Sequence, residues 1–358
     1  MATFGEMLKA PLYKTIDHFF SSYYVQEKLW QVGQKMFLQP TQPVLERISL
    51  HPLPYQYGSQ NMSTAIGGKG APIFITARFR SGSTFLWQLF RNISGVTSYY
   101  EPLNESKWFL RGQSQPQVDQ THLGAKDYGA EYEGMEDLDR FFDPSWSTRC
   151  LYMDHTHYDQ NLRRYIQELI RRAKGRAALQ FNHADFRLPW LRANFPEAYI
   201  VHLYRHPREQ WVSIVRKGAS IPLDAKFELG AISNSDGFYT LDWARDMRHV
   251  FPFLEPAGRH PYELHYLLWR LSYSFGRTYG NISVSYEEFV SNFEEVADSL
   301  FQSVGIENAD LVKLSKLNCG KTDSRWPSYA KNDWFSKLEA KCDRELETFF
   351  SQAGISAA

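Results

Sequence analysis

The sequence carries no excess charge of either sign: 40 Lys and Arg balance 40 Asp and Glu over 358 residues. No global field therefore draws the chain to nucleic acid or to an anionic membrane, and any anion it binds must be held by a local arrangement. Cysteine is scarce. Cys150, Cys319 and Cys342 lie far apart, have no metal-ligand spacing, and would leave one thiol over if two were joined. That pattern fits a reducing, cytoplasmic setting better than a disulfide scaffold, and it points to no metal site. Long apolar runs are missing as well. Lys9, Lys14, Asp17, Glu27 and Lys28 interrupt the apolar residues near the N-terminus, leaving neither a signal-peptide core nor a membrane span there, and no spanning run follows. No internal repeat or low-complexity tract stands out.

What the chain has is the composition of a globular protein. With 43% hydrophobic and 22% charged residues it can bury a substantial core, as one large or two small domains. The aromatic share is 16%, gathered in runs such as HFFSSYY (18–24) and SYYEP (98–102), which read first as core packing. Leu8, Leu12, Ile16, Phe19 and Phe20 have helical spacing within 5–38, ahead of Pro40. The Gly- and Ser-rich stretch 58–72 then reads as a flexible connection. Residues 1–71 are thus expected to form a helical N-terminal extension and linker, and 72–358 the main domain.

From Pro72 onward, short β-rich runs alternate with helical ones: PIFITA (72–77), AALQF (177–181), YIVHLYR (199–205) and NISVSYE (281–287). Helices are expected at 83–93, 160–173, 207–217 and 289–303. This alternation implies an α/β fold, a parallel sheet flanked by helices with the site at one sheet edge. Residues 104–150 break the rhythm. They are polar, locally acidic and weakly periodic, and read as a lid or substrate-loop insertion near the active site, or else as a solvated surface excursion.

The strongest local pattern is the strand PIFITA, the turn RFRSGST and the helical FLWQLF. A strand, a small-residue turn and a helix start make an anion site. Gly82 lets backbone approach a ligand, the N–H groups around Ser81 to Thr84 sit at a positive helix end, and Arg80 adds a planar donor fork. Ser83 and Thr84 are placed to position the ligand. The turn is P-loop-like in shape, yet it lacks the second Gly and the Lys of the nucleoside-triphosphate P-loop. A second unit, YIVHLYRHPREQWVSIVRKG (199–218), repeats the plan: a strand, Arg205, then Pro207 opening a helix on which Ser213 falls eight residues after Arg205. Arg205 and Ser213 could together grip a terminal phosphate.

These two units resemble the sulfotransferases that use 3′-phosphoadenosine-5′-phosphosulfate (PAPS), and are similar in style to the carbohydrate and protein-tyrosine branches. The resemblance covers roughly 72–350. It implies that Arg80, Ser81, Gly82, Ser83 and Thr84 hold the 5′-phosphosulfate, and that Arg205 and Ser213, in an Arg-x-Pro-Arg context, bind the 3′-phosphate. It further implies Tyr286, in SVSYEEF, as an adenine contact, and Lys321, Ser324 and Arg325, in NCGKTDSRWPSYAKNDW, as parts of a basic loop over the nucleotide. The sequence departs from the family after AALQF, where a Lys or Arg is common and this chain has Asn182 and His183. It also lacks the Lys-Thr-His context in which cytosolic members carry a catalytic His.

The same resemblance makes Glu101 the expected catalytic base, since related branches place a Glu in a similar position after the turn. VTSYY is short and β-rich and Pro102 ends any regular element, so Glu101 is expected at a strand end beside Arg80. Glu105 is the runner-up, with His122 and His183 as minor candidates. The expected activity is sulfuryl transfer from PAPS to a hydroxyl-bearing acceptor, leaving adenosine 3′,5′-bisphosphate, with no metal, no nucleic acid and no membrane span. Two other readings stay open: a nucleotide-dependent phosphotransferase on a related fold, and a catalytically silent nucleotide-binding module.

Overall fold

The computed structural model describes residues 25, 29, 48, 50–57, 70–110, 125–215, 221–227, 239–318 and 324–352. His122, Lys321, Cys319 and most of the expected helical extension and linker lie outside the described residues. Cys150 and Cys342 are free thiols. No helix among the described residues is long and apolar enough to cross a membrane.

Five strands form one parallel sheet: β1 (Ile73–Ala77), β2 (Val96–Tyr100), β3 (Arg176–Phe181), β4 (Tyr199–Tyr204) and β5 (Ile282–Ser285). Their order across the sheet is β2-β3-β1-β4-β5. Ile73 of β1 aligns with Ala178 of β3 on one side and with Tyr199 of β4 on the other. All five residues of β1 are buried, as expected of a central parallel strand covered on both faces. Alternate residues divide between two cores. Ile73, Ile75 and Ala77 join Leu86, Leu89, Val201, Leu203 and Leu300, whereas Phe74 joins Phe181, Phe195, Ile200 and Trp269.

The helices that cover the sheet are α1 (Ser83–Arg91), α2 (Gln160–Arg172), α3 (Leu188–Asn194), α4 (Pro207–Val215), α5 (Thr240–Met247), α6 (Pro261–Tyr279), α7 (Tyr286–Ser291), α8 (Phe293–Ser303), α9 (Leu311–Ser315) and α10 (Asn332–Gln352). The longest ones after the sheet begins, α6 and α10, were not foreseen. The opening of α6 nonetheless had a readable signal, a capping box in which the His260 ring accepts from Tyr262 N while Glu263 accepts from His260 N, with Pro261 at the first position. Two expected boundaries shift. Strand β5 stops at Ser285, whose hydroxyl accepts from Glu288 N and caps α7, so Tyr286 opens a helix instead of ending a strand. The single helix expected over 289–303 is two, broken at Asn292, which leaves helical geometry.

The described part of the insertion is packed, not a solvated excursion. Single turns of 3-10 helix at Ala130–Tyr132, Glu136–Arg140 and Pro144–Ser147 bury Tyr132, Leu138 and Trp146 in the main core. The polar sequence concealed this because apolar side chains at turns follow neither helix nor strand periodicity. One side chain ties the segment down. Arg187, fully buried, donates to the carbonyls of Trp146, Arg149, Cys150 and His183.

This topology puts all the motifs at one edge. Because β1 lies between β3 and β4, the chain changes side of β1 after β3, and the crevice beyond the carboxyl ends of these strands is where such sheets take ligands. The residues following those ends are the turn 78–82 after β1, Glu101 after β2, Asn182 and His183 after β3, Arg205 after β4 and Tyr286 after β5.

Candidate active site

The turn after β1 is built by its own side chains. Ser81 is fully buried, and both its N–H and its hydroxyl donate to Arg78 O, at 3.3 and 2.5 Å. Ser81 therefore ties the turn to Arg78. Gly82 has φ 93° and stands at the N-cap of α1 without a side chain to accept from the first-turn amides. A Cβ at Gly82 would run into the Tyr286 ring. Only glycine meets both demands, the left-handed backbone and the close approach. Arg78 points back into the fold, over the Trp243 ring at 4.5 Å and beside Asp185, which also accepts from Thr76 and Ser272.

The second unit locks onto the first through Arg80. Arg80 Nε donates to Ser213 Oγ at 2.9 Å, and Arg205 Nη1 donates to the Arg80 carbonyl at 3.2 Å. The Arg205 guanidinium lies 4.5 Å from the centre of the Tyr286 ring, the same ring that covers Gly82. Arg80, Gly82, Arg205, Ser213 and Tyr286 thus form one contiguous cluster. Burial, then the positive charges of Arg205 and Arg325, pull the Arg80 guanidinium below its ordinary pKa. A half-buried cation held beside two others is an arrangement that an anion would relieve.

The C-terminal segment reaches the same place. Glu209, on α4, accepts from Ser324 Oγ at 3.2 Å and from the backbone N–H of Arg325 at 2.7 Å, and its carboxylate lies 3.5 Å from Arg325 Nε and 4.0 Å from Arg205 Nη2. Glu209 is the anchor that sequence reasoning missed, because nothing local in PREQ marks it as the partner of a segment more than a hundred residues away.

Glu101 sits at the end of β2 with φ 40°, a conformation that costs a non-glycine residue energy and is concentrated at functional positions. Arg80 shares this feature, with φ 63°. The Glu101 carboxylate is buried and accepts from Asn104 Nδ2 at 2.7 Å and from Asn182 Nδ2. Burial pushes its pKa up to about 7, against the pull of hydrogen bonds from Asn104, Tyr100 and Asn182. Tyr100 connects it to the turn: its hydroxyl shares a 3.2 Å hydrogen bond with Thr84 Oγ1, and its ring stacks on Tyr128 at 4.3 Å.

The other base candidates are placed differently. Glu105 accepts the Tyr239 hydroxyl, and burial raises its carboxyl. His183 is enclosed by the rings of Phe79, Tyr239 and Trp243 at 5.1, 5.8 and 5.7 Å, and burial lowers its pKa to about 3, so it is neutral and weakly basic.

The fold and this cluster define a class of protein: an α/β scaffold in which two basic strand-turn-helix units meet at the carboxyl edge of a parallel sheet that also carries a buried carboxylate of raised pKa. Within that class the chain belongs to the sulfotransferase family, whose sequence profile matches residues 72–310, a span that starts at β1 and contains both units. Among solved structures it is similar to sulfotransferase STF9 from Mycobacterium avium, at 12% identity and a TM-score of 0.41 over 79% of this chain and 77% of that one. It is also similar to the sulfotransferase domain from the curacin biosynthetic pathway, at 15% identity and a TM-score of 0.36 over 81% and 100% of the respective chains. No curated protein matches it in sequence.

Proposed function

We propose that the chain transfers the sulfuryl group of PAPS to the hydroxyl of an acceptor, with Glu101 as general base. The observation that supports this reading is the interlock at Arg80, which joins the two basic units. The residues suit the donor: a glycine turn at the N-terminus of α1 for the phosphosulfate, and Arg205 with Ser213 for the 3′-phosphate.

In the proposed reaction Glu101 removes the acceptor proton as the new oxygen–sulfur bond forms and the bond from sulfur to the bridging oxygen breaks. A carboxyl with a pKa of about 7 is matched to that task, because a substantial share of it is ionised at neutral pH while it keeps more basicity than an ordinary carboxylate. Arg80 and the amides of the first α1 turn stabilise charge growing on the departing phosphate oxygen, a contribution of about 3 kcal/mol per preorganised donor. Arg205 and Ser213 hold a group that does not change during transfer, so they act on affinity and donor choice. The Ser324–Arg325 segment, anchored by Glu209, adds positive charge on the same side.

Incubation with sulfur-labelled PAPS and a panel of sugars, phenols, steroids and peptides tests the reading. Labelled product is expected with the wild-type chain and ~10²- to 10⁴-fold slower transfer with Glu101→Gln. Phosphoryl transfer from ATP in place of sulfuryl transfer would overturn it.

A further inference from the structure

Asn182 follows β3, and the structure brings it to the carboxylate proposed as base. Its amide orientation is set from within the sheet: Gln180 Nε2 donates to Asn182 Oδ1 at 2.6 Å, which turns Asn182 Nδ2 onto Glu101. Both amides are buried, Gln180 completely. Asn104 Nδ2 holds the other carboxylate oxygen, so the two oxygens of Glu101 are pinned from opposite sides by neutral donors.

We propose that Asn182, oriented by Gln180, is the positioning residue for Glu101, holding the carboxylate by a neutral hydrogen bond. The inference rests on the reading of Glu101 as base. Its chemical sense lies in what a cation would do there. A Lys or Arg in contact with a carboxylate typically drops its pKa by about one to three units, and a base of lower pKa takes a hydroxyl proton less readily. An amide fixes direction without adding a charge, and lowers basicity only by its hydrogen bond.

Among the titratable groups around Glu101, Tyr100 on β2 also hydrogen-bonds its carboxylate, Glu105 follows on the next loop and repels it, and Tyr128 and Tyr132 of the insertion interact with it electrostatically. The hydrogen bond from Asn182 opposes the rise that burial imposes on Glu101, so its loss moves the carboxyl further up.

The test is the pH dependence of transfer in Asn182→Leu and in the isosteric Asn182→Asp. For Asn182→Leu the acidic limb is expected to move up by about one unit, with turnover recovering towards the wild-type value above it. For Asn182→Asp the second carboxylate should move the limb further in the same direction, since paired carboxylates share a proton. Affinity for adenosine 3′,5′-bisphosphate should be unchanged in both, which also reports that the chains fold. An unmoved limb in both variants, or a limb moved to lower pH, overturns the role of Asn182. Failure of the underlying reading looks different: Glu101→Gln would then keep the wild-type limb and rate.

Discussion

At the scale of single residues, Glu101 ties the chemistry to the stability of the fold. Its ordinary pKa of 4.5 rises to about 7 through burial, so between those values the folded chain holds a proton that the unfolded chain has released. Stability from this group is therefore present below pH 4.5 and is lost as pH rises towards 7. Glu101→Gln removes the buried charge, and its urea midpoint relative to wild type should be higher at pH 8 than at pH 5. An equal difference at both pH values would contradict the burial argument. Arg80 and Arg205 separate by role. Arg80→Ala should lower turnover more than nucleotide affinity, because its charge faces the bond that breaks in the proposed reaction. A matching loss of affinity and turnover would place it in ground-state binding instead.

At the scale of elements, the turn between β1 and α1 concentrates the constraints. Gly82 needs both its φ of 93° and the absence of a Cβ under the Tyr286 ring. Gly82→Ala should destabilise the chain by ~1–3 kcal/mol and weaken bisphosphate binding, the backbone strain alone accounting for part of that. Adding Tyr286→Ala removes the collision and should restore some of the stability, whereas no recovery would mean that strain is the whole cost. The insertion has its own test in Arg187, which holds four carbonyls between residues 146 and 183. Arg187→Met leaves buried acceptors without donors and should cost at least about 3 kcal/mol in urea unfolding, since each such group typically costs about 1–3 kcal/mol. A loss below about 1 kcal/mol would show that the segment is held by its aromatic packing instead.

At the scale of the whole molecule, what could be read in advance was whatever a short window contains. The runs IFITA and VHLY are β-rich and flanked by helix starts, so four sheet strands, the short β-rich VTSYY before Glu101, and the strand-end positions of Arg80 and Arg205 followed from local pattern. The joining contacts did not. Nothing near Arg80 indicates that its guanidinium will meet Ser213, that Arg205 will lie against Tyr286, or that Glu209 will hold Ser324, since each contact spans 81 to 133 residues. The capping box of α6 was legible and passed unread. The packed insertion was hidden for a physical reason, because buried aromatics carried by irregular turns have no period to detect.

Those long-range contacts join the two basic units, and calorimetric titration with adenosine 3′,5′-bisphosphate, adenosine 5′-phosphate and ATP tests directly the proposal that they form a single donor site. The bisphosphate should bind at least about tenfold more tightly than the monophosphate, as expected for charge-assisted hydrogen bonds to a second phosphate, and more tightly than ATP. Arg205→Ala should erase the preference over the monophosphate while leaving monophosphate binding nearly unchanged. ATP binding as tight as the bisphosphate, or a preference that survives Arg205→Ala, would contradict the assignment of this site to PAPS.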